Sequence, residues 1–373
     1  MANPSLSENQ PVRLNIAAAM GSMYFRYAIL FSLLLKLLYA LSGMLWVDGS
    51  GFFDVFFRND SAWYRIIAEQ GYPTSAPDGI AQTPFSFFPL YPALAGLFMQ
   101  TGLPFHAAAF ALSCLSSLGW IALIFSLLRR RAWQDKEIFR FLALFQLMPF
   151  HHFHHMFYSE QVSMVLMTGM LLALDLQHRG WVFALAVLLV LSRPTGLVYA
   201  ATLPLLYLSP ATFFQRSALI GWLKRCLPLL GAFAGLGIWM LYLRFHCGDA
   251  LAFSHAQSAW DRGFRWPWMA FFNHGEPAIT ILSCYALLSL GLVAWAFRRN
   301  VMGLLFHAIN LLFPLSTGQI ISWPRYASVN LPAWLELRNH LQGRRFFVLL
   351  AVIALLHAAA WMAWLDNMPV WSY

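Results

Sequence analysis

The chain has 373 residues, of which 60% are hydrophobic and only 10% charged, with a mean hydropathy of +0.60. Soluble domains carry about 25% charged residues, so this composition excludes an ordinary water-facing surface. The net charge is +9, but the basic residues fall in short clusters between apolar segments: Arg129, Arg130, Arg131, Lys136 and Arg140; Arg216, Lys224 and Arg225; Arg298 and Arg299; Arg338, Arg344 and Arg345. Such clusters are topology signals, because Lys and Arg are retained on the cytoplasmic side, and they argue against nucleic acid as a partner.

A helix needs about 20 apolar residues to cross the hydrocarbon core. Residues 27–45, 110–128, 162–176, 231–243, 281–297 and 346–364 supply spans or most of one. The first contains a lysine, Lys36, and is long enough to span, so it reads as a retained helix and not as a cleaved signal. Passages near 141–150, 181–191 and 196–208 are shorter, and Pro149, Pro194, Pro204 and Pro314 interrupt the pattern. The expectation is an all-α integral membrane protein, a polytopic bundle of about ten transmembrane helices forming one domain. Four separated cysteines, Cys114, Cys226, Cys247 and Cys284, show neither a metal knuckle nor a redox pair.

With the basic clusters placed inside, the N-terminus is inside, residues 47–86 and 244–276 are outside, and the chain ends outside. The first external region, taken to residue 104, includes an apolar segment at 90–102 that is too short to span and reads as an interfacial or re-entrant helix. This region is rich in acids, with Asp48, Asp54, Asp60, Glu69 and Asp78. Broken spans imply a polar cavity, since irregular backbone cannot face lipid.

Asp60 opens a helical stretch in which Trp63, Tyr64, Ile66 and Ile67 share a face. Its carboxylate serves either as a helix cap or as a base that takes the proton of an acceptor hydroxyl. The segment Phe87-Phe88-Pro89-Leu90-Tyr91-Pro92 is either a rigid interfacial re-entry or a substrate contact. Glu160, in Tyr158-Ser159-Glu160, and Arg193, in Ser192-Arg193-Pro194-Thr195-Gly196, stand at helix ends. Ionisable groups at such depth are costly unless paired or facing a cavity. Arg193 can clamp a lipid phosphate, pair with Glu160, or snorkel. Arg325-Tyr326 offers a second phosphate ligand with the same alternatives, and Arg58 joins the binding candidates. Trp63, Tyr64, Tyr72 and Tyr91 are candidate acceptor or interface contacts. In His151-His152-Phe153-His154-His155, His151 and His155 are the metal candidates, against the simpler reading of a wet, interfacial histidine cluster.

Together these segments resemble bacterial relatives of the eukaryotic enzyme that adds the second mannose to glycosylphosphatidylinositol, members of the glycosyltransferase C superfamily. Asp60, Trp63, Tyr64, Ile67-Ala68 and Gly71-Tyr72 match one motif of that family, and Phe88-Pro89-Leu90-Tyr91-Pro92 matches the next. The likeness continues through Tyr158-Ser159-Glu160, Arg193-x-x-Gly196, Gln257-x-x-Trp260 and Pro324-Arg325-Tyr326. The chain departs from the pattern at Asn59, where the family has an aromatic residue, at Gln161, and at Pro194-Thr195.

The resemblance implies inverting transfer of a hexose, mannose first, from a polyprenyl-phosphate sugar to a hydroxyl of a lipid, glycan or protein acceptor. The reaction would take place on the non-cytoplasmic face of a bacterial inner membrane. It further implies Asp60 as base and Arg193 or Arg325 as ligand of the departing phosphate. Some superfamily members use a divalent metal, Mg or Mn, and others do not. Two other classes stay open: a transporter or flippase for a lipid-linked sugar, although no internal repeat is evident, and a noncatalytic structural subunit.

Overall fold

The computed structural model describes residues 21–47, 49–208, 214–272 and 277–366. The expected inside N-terminus, Asp48, the close of the second external loop and the outside chain end lie outside the described residues. All regular structure among the described residues is helical. Five stretches are long and apolar enough to cross a membrane. They are α1 (Met23–Trp46), α4 (Phe105–Arg130), the run Arg216–Cys247 that contains α9 (Arg216–Cys226) and α10 (Gly231–Cys247), most of α11 (Pro277–Ala296), and α14 (Gly343–Leu365). The chain is therefore an all-helical, multi-pass membrane protein.

Shorter helices complete the bundle: α2 (Asp60–Gln70), α3 (Leu90–Met99), α5 (Asp135–Gln146), α6 (Glu160–Asp175), α7 (Arg179–Ser192), α8 (Thr195–Thr202), α12 (Val301–Leu315) and α13 (Trp323–Ser328). The ten residues of α3 give a rod of about 15 Å, half the hydrocarbon thickness, so it cannot span. The expected passage at 141–150 is not one helix. α5 stops at Gln146, Phe150 takes a left-handed conformation (φ 67°), and a 3-10 turn follows at His151–His154. Pro149 accounts for the break, because the residue before proline is pushed out of helical space. Pro194 likewise separates α7 from α8, and Pro204 opens the 3-10 turn Leu203–Tyr207.

α6 is the central helix, packed between α4 and α7 and buried at every position except Val165 and Asp175. Around it α10 lies against α7 at close range. A Cβ on Gly231 would stand 2.4 Å from the Phe183 carbonyl oxygen, and one on Gly235 2.7 Å from that of Val187. Two small residues four apart let helix backbones approach where lipid provides no hydrophobic drive. Outward faces carry leucine: Leu30, Leu34, Leu38 and Leu41 on α1, Leu355 and Leu356 on α14. Lys36, the charge within the first span, is buried and donates to Ser113 Oγ of α4 at 2.7 Å.

Polar contacts divide the bundle into two ends. At one, Trp46 Nε1 donates to Asp366 at 2.8 Å, Phe57 meets Phe105 with ring centres 6.1 Å apart, and His246 bonds the Tyr72 carbonyl at 2.9 Å. At the other, Arg129 pairs with Asp135 at 2.7 Å, Arg131 with Asp175 at 2.9 Å, and Arg338 with Glu137 at 3.3 Å. The first loop and two of the basic clusters thus occupy opposite ends. If the clusters are cytoplasmic, a cysteine replacing exposed Asp78 in a background without native cysteines will react with an impermeant maleimide from outside. One replacing exposed Lys136 will react only after permeabilisation. Labelling in the reverse order contradicts that orientation.

Candidate functional site

The site is assembled at the end of the bundle that carries the first loop. Asn59 sits at φ 47°, a region asparagine enters more readily than an aromatic residue, and α2 begins at the next position. Asp60 is thereby the first helical residue, not the cap, and its carboxylate turns to α13. The buried face of α2 is Ser61, Tyr64 and Ile67. Trp63 is half-buried instead, stacked on Phe87 with ring centres 6.0 Å apart.

Glu160 opens α6 and is completely buried. Arg193 lies in the extended break between α7 and α8 (φ −169°, ψ 151°). That break depends on Gly196, where a Cβ would fall 2.4 Å from the Leu189 carbonyl oxygen. The motif glycine therefore lets α8 fold back tightly enough to hold Arg193 over α6. Arg325 comes from α13, whose start is set by Pro324.

These four side chains form one chain of charge. Arg325 Nη1 lies 2.5 Å from Asp60 Oδ2, Arg325 Nε 2.5 Å from Glu160 Oε1, and Arg193 Nη2 3.3 Å from the same Glu160 oxygen. The Arg193 guanidinium also sits 5.1 Å from the Tyr326 ring centre, and that of Arg325 4.9 Å from Tyr158. Arg193 Nε and Nη1 and Glu160 Oε2 have no hydrogen-bond partner. Both arginines are nearly buried, whereas Asp60 keeps 17% of its side chain exposed.

Asp60, Arg193 and Arg325 border a cavity of about 410 Å³. Tyr64, Gln257, Trp260 and Tyr326 line it too, with Phe87, Phe88, Phe253, Phe264 and Phe313 as apolar wall and Ser159, Ser192 and Ser322 as hydroxyls. Tyr64 donates to Ser159 Oγ at 3.1 Å. Burial first, then the Glu160 carboxylate, pushes its ionisation above the ordinary tyrosine value, so the phenol stays a neutral donor.

Five of the binding and contact candidates do not line the cavity: Glu160 lies behind Arg193 and Arg325, Trp63 packs on Phe87, and Arg58, Tyr72 and Tyr91 are engaged elsewhere. Arg58 does not reach the cavity: its Nη1 donates to the Trp364 carbonyl at 2.7 Å and so caps the end of α14. The Tyr72 hydroxyl is spent on the Phe87 carbonyl at 2.7 Å. Tyr91 is buried behind Tyr64, with ring centres 4.8 Å apart. The histidines do not form an exposed interfacial cluster, since all four are 1–4% exposed. His151 packs on Trp334 and His155 on Tyr39, and both border one small internal cavity with His154, Gln146 and Gln161. Among the described residues no group of three or more His, Cys, Asp or Glu can hold a metal ion. A Mg or Mn ion does not fit between Asp60 and Glu160 either, because Arg325 occupies the position where their oxygens converge.

The sequence reading missed Arg262. It lines the cavity and donates to Ser322 Oγ at 3.0 Å. Its signal was present: a basic residue two positions beyond Trp260, in a loop that the sequence reading expects to be outside.

The ion network predicts its own stability test. Arg325→Met takes from Asp60 its one cation among the described residues and leaves buried Glu160 with just the longer contact to Arg193, and removing one partner of a buried pair costs about 3–5 kcal/mol. The expected result is a clear fall in detergent-solubilised thermal stability, partly recovered in the Arg325→Met/Glu160→Gln double variant. Equal stability of wild type and Arg325→Met contradicts the network.

No family model matches the chain, and comparison with curated proteins and with solved structures likewise finds no match.

Proposed function

We propose that the chain is an inverting membrane glycosyltransferase. It would move a hexose, mannose by the resemblance of its motifs, from a polyprenyl-phosphate sugar to a hydroxyl of a lipid, glycan or protein acceptor. The non-cytoplasmic face of a bacterial inner membrane is the proposed location. The observation that carries this proposal is one aromatic-walled cavity bordered by a partly exposed carboxylate, Asp60, and by a buried arginine, Arg193, with two unpartnered guanidinium nitrogens.

A lipid phosphate is already a competent leaving group, so the protein's tasks are to orient it, offset developing charge and activate the hydroxyl. In the proposed step the acceptor oxygen attacks the anomeric carbon from the face opposite the phosphate. The new C–O bond forms as the bond to phosphate oxygen breaks, the hydroxyl proton passes to Asp60, and the electron pair leaves with the polyprenyl phosphate. Arg193 and Arg325 would receive that growing negative charge. A phosphate beside Arg325 also competes with Asp60 for the guanidinium, which releases a carboxylate oxygen for the hydroxyl proton.

Asp60→Asn separates this role from a structural one, because asparagine keeps the size and hydrogen-bonding capacity of the side chain while losing the base. Turnover is expected to fall by about 10² to 10⁴, the range for a positioned proton acceptor. Extracted yield and binding of a nonhydrolysable polyprenyl-phosphate sugar should stay near those of the wild type. Near-normal turnover with both controls satisfied rules out Asp60 as the base.

A further inference from the structure

Three guanidinium groups and one carboxylate border the cavity, with Glu160 behind it. Two of the guanidiniums are neutralised in place: Arg325 by Asp60 and Glu160, Arg193 by Glu160. The third, Arg262, meets no carboxylate among the described residues. Its neighbour Asp261 is taken by Arg265 at 2.9 Å and by Gln319 at 3.0 Å, so that pair contributes no net charge beside it. What Arg262 does have is a firm seat. Asp261 turns through a left-handed conformation (φ 51°), the Arg262 N–H closes back on the Gln257 carbonyl at 3.1 Å, and the guanidinium donates to Ser322. Ser322 immediately precedes α13, three residues before Arg325.

The cavity and its immediate backing therefore hold two negative and three positive groups, an excess of one positive charge fixed against the helix that carries Arg325. In a space walled by phenylalanine and tryptophan, such a charge is screened far less than on an open surface. We infer that Arg262, on the premise of the glycosyl transfer proposed above, is a binding residue for the phosphodiester of the donor. Its unneutralised guanidinium draws the single negative charge of that group into the cavity, which Arg193 also borders. Arg325, held by two carboxylates, is left to the reacting end. Arg262 is thus a residue of donor capture, and Asp60 the residue of chemistry.

Equilibrium binding of a polyprenyl phosphate to the full-length protein in detergent, measured beside the uncharged polyprenol, isolates the headgroup contribution. The wild type should prefer the phosphate, and the preference should shrink as salt is raised. Arg262→Gln should reduce it by about tenfold or more, the loss of one charge-assisted hydrogen bond, with polyprenol binding and thermal stability unchanged. Arg262→Lys should retain part of the preference, as charge without the planar fork. A wild-type preference that survives intact in Arg262→Gln overturns the role of Arg262 alone. So does an equal loss of phosphate and alcohol binding, which marks a purely structural residue. If the wild type shows no preference for the phosphate, the glycosyl-transfer proposal fails, and the role of Arg262 falls with it.

Discussion

The site depends on one guanidinium held between two carboxylates. Arg325 takes its place between Asp60 and Glu160 inside a helical bundle, where an unpaired charge costs several kcal/mol. Arg325 and the fully buried Glu160 are tolerated because each offsets the other. Since the contributors lie on α2, α6, the α7–α8 break and α13, the network ties together segments up to 265 positions apart in the chain. Neutral as a whole, it lets the protein keep four ionised groups beside a lipid-exposed bundle. The opening towards the cavity is left on the Asp60 and Arg193 sides.

The breaks in the helices follow from the same requirement. A bundle of uninterrupted spans presents no backbone ends at depth and no room for a headgroup. Here Pro149, Pro194 and Pro204 stop helices short: the turn after Pro149 is buried in protein, Pro194 borders the cavity, and residues 204–208 are half-buried. The central α6 helps to bury that turn. Close packing of α10 on α7 through Gly231 and Gly235 holds the broken pair α7–α8 in place from the other side.

Much of this was legible in the sequence, for definable reasons. Apolar runs of spanning length fix the long helices regardless of tertiary detail, and charges at the ends of such runs announce themselves by their cost, which is why Glu160, Arg193 and Arg325 stood out. Asp60 stood out instead at the start of a helical stretch in an acid-rich loop. Their pairing was not legible, because no local pattern joins Asp60 to Arg325. Arg58 misled through its nearness to Asp60: the positive-φ bend at Asn59 sends the two side chains to different partners. Tyr72 and Tyr91 share motifs with cavity residues but serve the packing of Phe87 and Tyr64. The histidine run looked like a surface cluster because imidazole is commonly wet. Its burial among Tyr39, Trp334 and Trp364 comes from chain segments far away in sequence.

Proposed activity and proposed direction of attack meet in the stereochemistry of the product. Purified protein in lipid vesicles, given a polyprenyl-phosphate hexose of defined anomeric configuration and a panel of lipid and glycan alcohols, should form a glycoside of the opposite configuration, read by the anomeric coupling constant. A nucleotide sugar in place of the lipid donor should give none. Retention of configuration, transfer from the nucleotide sugar alone, or movement of the intact lipid-linked sugar across the vesicle membrane without transfer contradicts the account.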